Sequence, residues 1–156
     1  MYSVWLSAEQ QRVWRNYLAM SATLQIEMNR QLQHECGLSL PDYDVLVALD
    51  ELEACRVNDL GARLGWEQSR VSHQLRRMQS RGLVAKRGAE DDRRAAVVEL
   101  TGEGRAALTS AAQGHVDLIR DVVFDGVGGA DLRVLDRWTS AVLGRLHERS
   151  QAAGLA

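Results

Sequence analysis

The chain has 156 residues, 46% of them apolar and 26% charged, with a formal net charge of −2. This suits one ordinary globular domain and excludes a disordered chain. The longest apolar run, Val45–Leu49, is far short of the ~20 residues that span a bilayer. The first six residues lack the basic-then-apolar pattern of a secretory signal, and two cysteines, Cys36 and Cys55, are too few for a disulfide framework. A reducing cytoplasm is the expected compartment.

From Ala8 to His34, Trp14, Tyr17, Leu18, Leu24, Met28 and Leu32 recur at steps of mostly three or four residues, uninterrupted by Gly or Pro. One long amphipathic helix is predicted, stopped by Gly37. Ser39-Leu40-Pro41-Asp42 reads as a capping box opening a second helix, which ends near Cys55. A short third helix covers Val57–Leu64, and a fourth runs from Gln68 to Arg81, stopped by Gly82. Residues 83–87 and 95–100 read as two strands of a hairpin with a charged tip. Thr101–Gly104 suits a strand end followed by a helix cap, and that helix continues to Phe124. After the break at Gly126–Gly129, a last helix over Asp131–Arg149 aligns Leu132, Leu135, Trp138, Val142 and Leu146.

The charge is concentrated. Between Arg56 and Arg94 there are ten basic and five acidic side chains; the rest of the chain has nine and sixteen. A basic centre in an acidic chain is the footprint of a polyanion-binding module. The fourth helix sharpens this reading. Val71, Leu75 and Met78 form a short buried stripe, expected to be wholly apolar, while Ser69, His73, Arg76, Arg77 and Ser80 lie opposite, flanked by Arg70 and Ser72. No carboxylate occurs from Gln68 to Arg81. Arginine can grip guanine edges, and Gln, His and Ser can bond bases or phosphates. With the third helix and the turn before it, this piece forms a helix-turn-helix. Asp92 and Arg94, two apart in an extended stretch, share a side, so Asp92 is placed to aim Arg94 into a minor groove.

The segments Gly65–Met78, Arg81–Val84 and Asp92–Thr101 resemble the MarR family of bacterial transcription regulators. The resemblance covers nearly the whole chain. It implies a mainly α winged helix-turn-helix fold of about six helices with a two-stranded β-wing. It further implies a homodimer joined through the N- and C-terminal helices, each subunit reading half of a palindromic operator. The expected organisation is a single domain over 1–156, with dimerisation helices at 1–36 and 103–150 and the DNA-binding lobe at 39–101. The family's contacts carry over to Gln68, Ser69, Arg70, Ser72, His73, Arg76 and Arg77, with Arg94 on the wing supported by Asp92. Glu67 departs from the pattern, standing where relatives often have a capping Ser.

The expected function is a ligand-responsive repressor, cytoplasmic and bound to the nucleoid through its operator. Its effector is expected to be a small aromatic or phenolic molecule held where the first, second and fifth helices meet the DNA-binding lobe; Trp14, His34 and Tyr43 suit its lining and suit the core equally. Two alternatives stand beside it: a redox sensor using Cys36 or Cys55, and a winged-helix adaptor that does not bind DNA. No enzyme motif or cofactor loop is present in the sequence. The consecutive His34, Glu35 and Cys36 point in different directions on a helix and cannot chelate together, so no metal is expected.

Overall fold

The computed structural model describes residues 5–88, 96–152 and 154. The chain divides into two compact units, residues 1–118 and 119–156. The first carries α1 (Ala8–Cys36), α2 (Leu40–Leu52), β1 (Ala54–Arg56), α3 (Val57–Leu64), α4 (Gln68–Ser80), β2 (Val84–Arg87), β3 (Val97–Leu100) and all but the last residue of α5 (Gly102–Ile119). The second contains a π-helical turn over Arg120–Phe124 and α6 (Gly129–Ala152).

Local signals set most boundaries. Ser7 and Gln10 form a reciprocal capping box at the start of α1, and Gly37 ends it in the left-handed conformation with φ 64°. Ser39 and Asp42 form the same reciprocal pair at α2, with Pro41 in its first turn. This satisfies amides that would otherwise lack partners. Gly65 closes α3 with φ 65°.

Two expectations are corrected. The second helix stops at Leu52, because Glu53 turns the chain with φ 61°. The residues after it form β1 instead of a helical tail. Strand β1 pairs antiparallel with β3, Cys55 opposite Val98, while β2 pairs with the other side of β3, Lys86 opposite Val98. The hairpin is therefore part of a three-stranded sheet in the order β1-β3-β2. A three-residue strand is too short to show a period-two pattern, so its pairing comes from the exposed edge of β3. The fifth helix also changes character: α5 ends at Ile119 and widens into the π turn before Phe124.

The core joins α1, α2, α3, α4, α5 and the sheet. Leu32, Leu38, Leu46, Leu49, Leu60, Val71, Met78 and Val98 are almost wholly buried, and burial of such side chains is the main favourable term in folding. Helix α5 is docked by one residue at its start. The Thr101 hydroxyl donates to the Gly82 carbonyl at 2.6 Å and accepts from the Gly104 amide at 2.9 Å. Gly104 lies against the Leu83 backbone, where an added Cβ would sit 2.0 Å from the carbonyl oxygen. A backbone oxygen cannot step aside as a side chain can. Gly104→Ala is expected to destabilise the protein by about 1–3 kcal/mol through overpacking, read as a lowered midpoint in thermal unfolding followed by circular dichroism.

Candidate nucleic-acid interface

Gly65 makes the tight turn between α3 and α4, and Gly61 of α3 lies beneath it. A Cβ on Gly61 would meet the Trp66 carbonyl at 3.3 Å and a Val71 methyl at 3.4 Å, so the two helices approach there nearly without side-chain spacing. Helix α4 buries Val71, Gln74, Leu75 and Met78. The stripe is thus not wholly apolar as expected. Gln74 is buried because a partner waits for it: its amide nitrogen donates to Asp42 Oδ1 at 2.6 Å.

Asp42 is the node that orients α4. Its carboxylate is 1% exposed. Oδ2 accepts from the Ser39 amide at 2.8 Å and from Arg81 Nη1 at 2.7 Å. Arg81 also donates through Nη2 to the Gly37 carbonyl at 2.8 Å. The C-cap of α1, the N-cap of α2, and the middle and C-cap of α4 are therefore tied to one acid, the first of them through Arg81. Burial by itself raises the Asp42 carboxyl's pKa, but the Ser39 hydrogen bonds and the Arg81 guanidinium outweigh it and hold it below the ordinary carboxylate value.

The outer face of α4 is as the sequence predicts. Gln68, Ser69, Arg70, Ser72, His73, Arg76 and Arg77 are all exposed. Neither Arg76 nor Arg77 forms an ion pair among the described residues, which leaves two guanidinium groups available to phosphates or bases. Gln68 is oriented by Asn58 of α3, whose side-chain oxygen accepts from it at 3.2 Å. Arg70 places its guanidinium carbon over the Trp66 ring, 4.0 Å from the centroid, an attraction between a cation and the ring's negative face. Glu67 occupies the N-cap position of α4 without a side-chain capping bond, so it can act on that helix end only through its charge. Asp92 and Arg94 fall outside the described residues, as does the tip of the hairpin. At its base, Arg87 and Glu99 form an ion pair across β2 and β3.

Beside this face lies a cleft of about 1000 Å³ between α1, α2, the α3–α4 turn and α5. Its walls are Ala22, Ile26, Met28, Leu40, Pro41, Val47 and Leu64, with Tyr43, Asp44, Arg63, Trp66, Arg70 and His115 as polar or aromatic members. Of the three expected linings only Tyr43 is present. Trp14 instead stacks on Tyr17 along α1, their ring centroids 5.6 Å apart, and His34 is exposed near the end of α1. Tyr43 packs on His115 at 4.4 Å. Burial raises the Tyr43 hydroxyl's pKa, with the Asp44 charge adding to it, and burial lowers the pKa of His115. Sequence reasoning missed Asp44, Trp66 and His115 as cleft residues, since they come from three separate elements and share no local pattern.

The cysteines do not form a reactive pair. Both are free, Cys36 at the end of α1 and Cys55 within β1. Burial pushes the Cys55 thiol pKa up, and the Asp59 charge adds to that. A sensing thiol needs the opposite shift.

Comparison with known proteins agrees with this geometry. Residues 37–95 match the MarR family. AbsC, a MarR family transcriptional regulator from Streptomyces coelicolor, is 32% identical; the match covers 94% of this chain and 99% of that one, with a TM-score of 0.86. Sco3205 from the same organism, a MarR family regulator solved in complex with DNA, is 33% identical over 91% of this chain and 90% of that one, with a TM-score of 0.84. The organic hydroperoxide resistance transcriptional regulator of Bacillus subtilis (strain 168) is 28% identical over 128 residues, 80% of this chain and 84% of that protein. The chain belongs to the MarR family and is a DNA-binding transcription regulator with a winged helix-turn-helix fold.

The Asp42 node carries a pH signature. A carboxyl whose folded pKa is lowered stabilises the fold above the ordinary carboxylate range and loses that contribution as pH falls through the folded value. Asp42→Asn places a donor where Ser39 and Arg81 or Gln74 already donate, and is expected to cost about 1–3 kcal/mol at pH 7. Urea unfolding at pH 7 and at about pH 3 should show a smaller loss of stability on acidification in the variant than in the wild type.

Proposed function

We propose that the protein is a cytoplasmic, ligand-responsive repressor that binds a palindromic operator as a homodimer. The carboxylate-free outer face of α4 carries this reading. In it, Gln68, Ser69, Arg70, Ser72, His73, Arg76 and Arg77 meet the major groove and the flanking phosphates, and Arg94 on the wing enters the minor groove with Asp92 aiming it. The organisation is one domain, with a DNA-binding lobe over 39–101 and dimerisation helices at 1–36 and 103–150. A two-fold pair would set its recognition helices about 34–36 Å apart, one turn of DNA.

The apolar surface of the terminal helices supports the dimer. Trp14, Leu18, Met20 and Ile26 of α1 and Leu132, Leu135, Trp138 and Leu146 of α6 are each at least 41% exposed. Large apolar side chains left exposed along a helix in this number mark an interaction site on each. The cleft beside α4 supports a small-molecule effector with an aromatic body, because ligand sites are concave, mostly apolar and fitted with a few polar groups. The raised Cys55 thiol pKa weighs against Cys55 as the sensing thiol of the redox alternative.

Selection of genomic fragments on the immobilised protein, followed by sequencing, should return an inverted repeat. Binding to that duplex should weaken steeply and linearly in logarithmic plots against salt, as counterion release requires; salt-insensitive or absent binding would favour the adaptor. Arg76→Ala is expected to cost about 1–3 kcal/mol in operator affinity without lowering the unfolding midpoint. Arg94→Ala should weaken binding while leaving the major-groove sequence preference intact; unchanged affinity would remove the wing from the interface.

A further inference from the structure

The charge pattern of the cleft goes beyond the presence of an effector to its class, and the inference rests on the cleft being the effector site. Four ionisable groups besides Tyr43 face it: Asp44 from α2, Arg63 from α3, Arg70 from α4 and His115 from α5. Arg63 is already paired with Glu51 at 2.5 Å. That leaves Asp44 and Arg70 as the charges a ligand would meet. Asp44 is partly buried, yet no hydrogen-bond donor reaches its carboxylate among the described residues. Burial raises its pKa, and only the Arg70 charge is placed to oppose that. Arg70 for its part is exposed and held by the Trp66 ring.

We infer that the cleft takes a small organic cation with an aromatic or apolar body, and that this cation takes over Trp66 and Asp44 from Arg70. The ring face that attracts a guanidinium attracts an alkylammonium by the same quadrupole. Tyr43 and His115 add further ring surface, and the aliphatic wall receives the body of the ligand. An anion of the same shape would be repelled by Asp44, and it could draw Arg70 off the Trp66 ring only at the loss of that contact. Arg70 is also a proposed operator contact, so the cation and DNA are linked through one side chain, and such coupling is reciprocal.

Isothermal titration calorimetry of the full-length protein with three probes that share a phenyl ring and differ in head-group charge tests this: benzyltrimethylammonium, benzoate and benzyl alcohol at matched ionic strength. Benzyltrimethylammonium should bind about tenfold more tightly than the other two, a gain in keeping with a partly desolvated cation–ring and cation–carboxylate contact. Asp44→Asn should erase that preference. Arg70→Gln, which removes the resident cation, should tighten benzyltrimethylammonium binding severalfold and leave benzyl alcohol unchanged. Equal binding of all three probes, or preference for benzoate, overturns the charge assignment and leaves the effector cleft standing. Binding of none of them overturns both. Unchanged cation affinity in Arg70→Gln overturns the exchange.

Discussion

One buried carboxylate governs where the DNA-reading helix sits. Asp42 caps its own helix through Ser39, accepts from Gln74 on the inner face of α4, and pairs with Arg81 just past the end of that helix. A buried acid is costly to desolvate unless its lone pairs are occupied. Here each oxygen has a donor, so the cost becomes a constraint: α4 cannot roll or slide without leaving Asp42 unmatched. Apolar contacts from Val71, Leu75 and Met78 are non-directional and would tolerate a small rotation. The hydrogen bonds would not. The orientation of Arg76 and Arg77 toward any duplex therefore depends on an interaction on the opposite side of the helix.

Much of this was legible beforehand. The apolar spacing, the glycine stops and the Ser39–Asp42 capping box mark every helix, because these signals act within a few residues. The outward set on α4 follows from helical periodicity alone. What the pattern could not show depends on distant pairing. Gln74 looks like a solvent residue until Asp42, 32 positions away, is brought beneath it. Strand β1 has no propensity signature and exists because β3 offers an unpaired edge. The cleft draws on Asp44, Trp66 and His115, whose neighbourhood is created by packing. Asp42 itself was read as a cap, which it is, but a cap signal says nothing of the partners that arrive from elsewhere.

The same helix end serves two surfaces. Arg70 projects from the first turn of α4, lines the cleft and is exposed on the face proposed to meet DNA. Trp66 precedes it in the turn and supplies the ring on which it rests. A site built this way needs no long chain of displaced side chains to connect ligand and DNA, since both bear on one guanidinium group. This economy is available because the helix-turn-helix turn is short: Gly65 ends α3 in the left-handed conformation, and Gly61 leaves room for the turn to pack against α3.

Helix α6 spans 24 residues without one buried side chain. A helix in water gains little from propensity alone and takes most of its stability from packing of an apolar face. The proposed dimer would supply that packing through Leu132, Leu135, Trp138 and Leu146. In the proposed homodimer, helical content and subunit assembly would be a single equilibrium, so dilution would unwind this terminus before the buried core of the DNA-binding lobe.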